Sequence, residues 1–186
     1  IKKNKIFKQL NLSNTPVLMG IVNLTPDSFS DGGKYNKRKL SINHINKLLS
    51  SGAKIIDVGG ESTRPGANDI SSNKEWDRIK TVLKFLKNKK CIVSMDTRKS
   101  FVMKKASKIK IDLINDVSGL SYDPETINYL KKTKKPFVIH HMKGSPKNMQ
   151  IKPAYKNVLL DIYDFFETKL KYLRKQGIKH NNIILD

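Results

Sequence analysis

The chain has 186 residues, 38% of them hydrophobic, and its 37 basic side chains against 16 acidic ones give a net charge of +21. That length suits a single domain over residues 1–186 with a sizeable core, which favours a globular chain over a disordered one; no apolar run reaches the roughly 18 to 20 residues of a membrane span. The lone cysteine, Cys91 in "CIVSMD", rules out an internal disulfide and a cysteine-built metal cluster, and its apolar setting predicts a buried, inert thiol.

The opening segment "IKKNKIFKQLNLSN" is basic but has no apolar stretch of the signal-peptide kind behind it, so the chain reads as cytoplasmic. Its charge invites a nucleic-acid reading. Yet 32 of the basic residues are Lys and only 5 are Arg, whereas base-edge and bidentate phosphate recognition favour Arg. Lysine spread over every helix-like segment, beside abundant Asn and Ile, is what A/T-rich codon usage produces on solvated faces. Neither a nucleic-acid partner nor a membrane partner is expected.

In chain order, "PVLMGIV" (16–22) is a short β-branched apolar run of strand length, and the polar loop "NLTPDSFSDGG" (23–33) follows it. Leu40, Ile45, Leu48 and Leu49 then share a helical face, with Gly52 placed to end that helix. "KIIDVGG" (54–60) is the second strand, running into "GGESTRPGA" (59–67), where Ser62 and Thr63 offer hydroxyls, Arg64 an anion fork and Pro65 stiffness. Ser72 with Glu75 has capping-box spacing ahead of Trp76, Ile79, Val82, Leu83 and Leu86, and Trp76 reads as helix-to-sheet packing.

"CIVSMD" (91–96) and "DLINDV" (112–117) are the third and fourth strands, and Asp123-Pro124 is an N-cap signal before Ile127 and Leu130. "PFVIHH" (136–141) is the fifth. The last helix carries Leu159, Ile162, Phe166, Leu170 and Leu173, stops at Gly177, and leads to "NIILD" (182–186).

Strand and helix alternate throughout, which implies parallel strands with right-handed crossovers. The apolar runs finish in or beside Asn23, Asp57, Asp96, Asn115, His141 and Asp186, and polar residues converging from many strand ends are what the rim of a TIM (β/α)8 barrel collects. No G-x-G-x-x-G follows the first strand, so a dinucleotide fold is disfavoured. With six strands, the expectation is a (β/α)8 barrel truncated to about its first six units.

"PVLMGIVNLTPDSFSDGG" and "GAKIIDVGGESTRPGA" closely resemble the two signature segments of the dihydropteroate synthase family, and the likeness continues through "SMDT", "LINDVSG", "HHMKGSPKNMQ" and "IILD". The resemblance implies a pterin-binding transferase of folate biosynthesis and a sulfonamide target. Such an enzyme joins 6-hydroxymethyl-7,8-dihydropterin diphosphate to p-aminobenzoate, giving 7,8-dihydropteroate and pyrophosphate. It implies Asp96, Asn115 and Asp186 as ligands of the pterin edge, Val117 and Met142 as apolar contacts to its ring, and Asn23 as the ligand of Mg²⁺. By the same resemblance Ser28, Phe29, Thr63, Arg64 and Pro65 form the p-aminobenzoate and diphosphate loops, and Asp31, Asp96 and Arg64 are the catalytic residues.

The family's later segments, with their lysine-bearing loop and terminal Arg-x-His, do not occur in these 186 residues, so the chain alone is expected to have an incomplete site and little activity; the full-length parent is expected to be a homodimer. A methyltetrahydrofolate:corrinoid methyltransferase-like protein would share the pterin pocket but has no need of the loops around Phe29 and Thr63. A non-catalytic fragment is the remaining alternative.

Two readings stay open at residue level. Asp57 is as suited to bracing the second loop as to touching substrate. His140 and His141 are neighbours on a strand and face opposite sides, so one packed and one rim histidine is expected rather than a chelating pair.

Overall fold

The computed structural model describes Ile6 and residues 16–25, 34–64, 67–143 and 154–186, with backbone alone over 34–37. Strands β1 (Met19–Asn23), β2 (Ile55–Gly59), β3 (Ile92–Asp96), β4 (Leu113–Asp116), β5 (Phe137–Ile139) and β6 (Ile183–Leu185) form one sheet. Between them lie helices α1 (Lys34–Ser50), α2 (Ser72–Leu86), α3 (Ser100–Ser107), α4 (Glu125–Thr133) and α5 (Val158–Lys175), with a short 3-10 turn at His180–Asn182 ahead of β6. Every neighbouring pair is parallel and the strand order follows the chain, β1 to β6.

That order separates the two α/β architectures. A doubly wound sheet reverses its order at a switch point, whereas a barrel adds each strand beside the last. The chain therefore forms six consecutive units of a TIM barrel. Among the described residues, one edge of β1 and one edge of β6 pair with no strand, and large side chains near those edges face solvent: Leu18 and Ile21 are each 58% exposed.

The outer face of the sheet supplies the core. Val22, Ile56, Val58, Val93, Met95, Ile114 and Ile139 pack with Ile45 of α1, Ile79 and Leu83 of α2, Val102 and Met103 of α3, and Leu130 of α4. Each such side chain, once buried, contributes about 1.5–3 kcal/mol. Trp76 is half-buried against this core with the Lys105 ammonium 5.8 Å over its ring, in line with the packing role read from its spacing. Cys91 is half-buried rather than fully enclosed, and burial pushes its thiol up.

The helix boundaries follow their signals with one correction. α1 ends ahead of Gly52, whose φ of +97° a side chain would resist. The cap of α2 is Ser71, not Ser72: its hydroxyl accepts from the Lys74 N–H at 3.3 Å. Glu75 does not close a capping box, because an opposite charge inside the fold holds it, as described below. Asp123 serves two helices at once, with Oδ1 accepting from the Glu125 N–H at 2.9 Å and Oδ2 from the Ser100 N–H at 2.7 Å.

Candidate active site

Strand register lines up one rank of side chains at the C-terminal end of the sheet. Asn23 lies beside Gly59, Gly59 beside Asp96, Asp96 beside Asn115, and Asn115 beside Val138. Alternation along each strand puts Asp57 and Ser94 on the same face, one step deeper. The ladder continues past β5 and β6 through His141 N–H to Asp186 O at 2.8 Å, which brings Asp186 to the rim beside His140.

The polar groups on this face form one connected array. Asn115 Nδ2 donates to Asp57 Oδ2 at 3.1 Å, His140 Nε2 lies 2.9 Å from Asn115 Oδ1, and His140 Nδ1 lies 3.4 Å from Asp186 Oδ2. Asp57 of β2, Asn115 of β4 and His140 after β5 thus form one hydrogen-bonded chain, with the Asp186 carboxylate after β6 beside its end. Asp57 is 5% exposed, and its second oxygen, Oδ1, is buried without a partner. A buried acceptor left open in this way is costly unless a ligand supplies a donor.

Gly59 sets the spacing between Asn23 and Asp96. A Cβ there would lie 2.8 Å from Asp96 Oδ2 and 3.1 Å from Asn23 Oδ1, so only glycine lets these two oxygens approach the strand between them. Burial, and then the neighbouring carboxylates of Asp57, Glu75, Asp116 and Glu61, push the Asp96 carboxyl well above its ordinary range. Burial also raises Asp57, against the opposing effects of the Ser94 hydroxyl, Asn115 and His140. The mouth therefore holds carboxyl groups ready to share hydrogens with a neutral, donor-rich ligand.

Among the described residues, no cluster of three or more His, Cys, Asp or Glu side chains is arranged to hold a metal. Asn23 Oδ1 is a hard, neutral oxygen on the rim, with Asp96 Oδ2 across Gly59. A single such donor completed by water and diphosphate oxygens suits Mg²⁺.

The loop after β2 is anchored by buried ions that pattern reading did not anticipate. Lys99 Nζ lies 2.6 Å from Glu61 Oε1 and 2.9 Å from Glu75 Oε2, and also donates to the Ile70 carbonyl at 2.8 Å. Arg98 Nη2 lies 2.7 Å from Glu61 Oε2 and 3.3 Å from Asp69 Oδ1, while its guanidinium stacks 4.2 Å over the Tyr122 ring. Burial opposes the charges of Glu61, Arg98 and Lys99, yet pairing wins. Glu61 is held below its usual range by the Ile70 N–H, Lys99 and Arg98, and Lys99 is held above its own by Glu61 and Glu75. The signal in the sequence was two adjacent cations, "RK", directly after a buried strand, with acids at positions 61 and 75.

The residues expected to form the site fall into three groups. Asp96, Asn115 and Asp186 converge on one mouth, together with Asn23. Val117 and Met142 are half-buried just beyond β4 and β5, and Thr63 and the exposed Arg64 lie on the anchored loop. Ser28, Phe29, Asp31 and Pro65 lie outside the described residues. Asp57 bonds Asn115 of β4 rather than the second loop, and it forms the floor of the polar array. His140 is the rim histidine, while His141 packs edge-on against Phe165 with centroids 4.9 Å apart, as the alternation of the strand requires.

A six-unit run of a TIM barrel, with carboxylates and an amide from successive strand ends facing a common mouth, is the class of site that binds a small polar heterocycle. The profile of the pterin binding enzyme family matches residues 19–186, and the chain belongs to that family. It is similar to the dihydropteroate synthase of Haemophilus influenzae, 40% identical over 180 residues that cover 96% of this chain and 65% of the relative.

Solved structures agree. The Yersinia pestis dihydropteroate synthase, determined with a sulfonamide drug complex, matches with a TM-score of 0.82 at 40% identity over 92% of this chain and 62% of that one. The Xanthomonas albilineans dihydropteroate synthase with 4-aminobenzoic acid matches with a TM-score of 0.84 at 33% identity, over 93% of this chain and 61% of that one. The chain spans less than two thirds of the length of the relatives it matches.

Proposed function

We propose that the protein acts as a dihydropteroate synthase, condensing 6-hydroxymethyl-7,8-dihydropterin diphosphate with p-aminobenzoate to give 7,8-dihydropteroate and pyrophosphate. The observation that carries this reading is the polar array from Asp57 to Asp186, with the open acceptor Asp57 Oδ1 and the raised Asp96 carboxyl beside it. A pterin presents ring N–H and amino donors next to a carbonyl, and such an edge matches carboxylates and an amide held side by side. Val117 and Met142 supply apolar contact to the flat ring.

In the reaction the carbon–oxygen bond to the diphosphate breaks and its electron pair leaves with pyrophosphate. The p-aminobenzoate nitrogen then bonds to the exposed methylene and gives up a proton. Asp96 stabilises the positive charge that develops on the pterin, and Arg64 and Thr63 face the anionic partners. Asp31 is the proposed acceptor of the amine proton, and Ser28, Phe29 and Pro65 complete the loops around p-aminobenzoate. Asn23 would hold Mg²⁺, which when bound offsets charge on the diphosphate. The proposed setting is the cytoplasm, and the proposed assembly is a homodimer.

Incubating the protein with both substrates and following dihydropteroate by mass tests this reading. Arg64→Ala should lose use of p-aminobenzoate while keeping affinity for the pterin. Absence of product from the wild-type protein, with pterin binding also absent, would overturn the assignment.

A further inference from the structure

We propose that His140 is a positioning residue for the pterin edge: its ring fixes which way the Asn115 amide faces. This rests on the pterin reading above, which gives Asn115 and Asp186 to the ligand.

An asparagine amide can turn over and exchange its acceptor for its donors, so a pocket that reads a ligand edge must hold it one way. Asp57 alone does not do so, because a protonated Asp57 can donate to the amide oxygen as readily as an ionised one accepts from its nitrogen. His140 supplies the second constraint. Asn115 Oδ1 carries no hydrogen, so the 2.9 Å contact requires a proton on Nε2, while the Asp186 carboxylate lies 3.4 Å from Nδ1 on the other side of the ring.

With Nε2 as donor the chain of bonds has one polarity: His140 gives a hydrogen to Asn115 Oδ1, and Asn115 gives one to Asp57. The second Asn115 N–H and the Asp186 carboxylate then remain for the ligand. The charged groups around the ring are Asp57 from β2, Asp116 from β4 and Asp186 beyond β6. His141, pointing the other way into Phe165, takes no part.

The test compares wild type with His140→Leu, which removes the bond to Asn115, and His140→Gln, which keeps a donor for Asn115. Calorimetric titration with pteroic acid should show about tenfold weaker binding in His140→Leu, as loss of one orienting hydrogen bond implies. His140→Gln should recover most of that loss.

A second measurement needs no ligand. The Asn115 side-chain amide protons, assigned by their disappearance in Asn115→Asp, should exchange with solvent about tenfold faster in His140→Leu than in wild type. If wild type fails to bind pteroic acid while this exchange still depends on His140, the pterin reading falls and the positioning role stands. Unchanged affinity, or unchanged amide exchange, in a folded His140→Leu overturns the proposal. Should that variant not fold, His140→Ala takes its place in both measurements.

Discussion

Lys99 Nζ lies 2.6 Å from Glu61 Oε1, two buried charges 38 positions apart that tie the loop after β2 to the loop after β3. Lys99→Met leaves Glu75 without its cation and Glu61 with only Arg98, and loss of one partner from such a buried pair costs about 3–5 kcal/mol. Urea denaturation should show a loss of that order. Unchanged stability would mean that the cluster is solvated and anchors nothing.

The same cluster fixes a window of pH. Glu61 has its folded value depressed, so its contribution is present above the unfolded value and is lost as pH falls through the lower folded one. Lys99 has its folded value raised, so its contribution is full below the unfolded value and is lost as pH rises through the higher folded one. The difference in thermal midpoint between wild type and Lys99→Met should therefore stay level between these limits and shrink outside them.

Gly59→Ala would push a methyl between Asp96 Oδ2 and Asn23 Oδ1. Overpacking of this kind costs about 1–3 kcal/mol, and the displaced oxygens belong to the proposed pterin and metal positions. Chemical denaturation should show that loss, and calorimetry should show weakened binding of the pterin diphosphate. Retained affinity would indicate that the two oxygens are not held by the spacing that Gly59 provides.

Asp123→Ala should cost about 1–2 kcal/mol, since one side chain caps both α3 and α4. Its carboxyl sits below its usual range: burial opposes this, but the Ser100 and Glu125 N–H bonds win. The stabilisation is present above the unfolded value and is lost as pH falls through the folded one, so wild type and variant should converge in acid. Denaturation midpoints at neutral and acid pH check both points.

The six strands were legible because each is a short apolar run rich in β-branched residues and closed by a polar residue, and register then placed Asn23, Asp96 and Asn115 in one rank without further signal. What the pattern did not carry were the side-chain partners. Glu75 has capping-box spacing from Ser72, but the helix is capped one residue earlier by Ser71, and Lys99 beyond β3 holds the Glu75 carboxylate. Asp57 suited a loop brace and a substrate contact equally from its neighbours in sequence. Its partner Asn115 comes from β4, which periodicity along one segment has no means to reveal.

Asp96→Asn should raise stability while removing function. The Asp96 carboxyl is raised on folding, first by burial and then by Asp57, so its favourable contribution is full below the unfolded value and disappears as pH rises through the folded one. At neutral pH the variant should therefore be more stable than wild type. A variant that is less stable at neutral pH and no less dependent on it would contradict the charge assignment.

The most direct test of the central claim is equilibrium binding of 6-hydroxymethyl-7,8-dihydropterin diphosphate to wild type and to folded Asp96→Asn, measured by calorimetry at neutral pH. The account predicts saturable one-to-one binding by wild type and a loss of tenfold or more in the variant. Equal binding by the two proteins, or none by wild type, would contradict it.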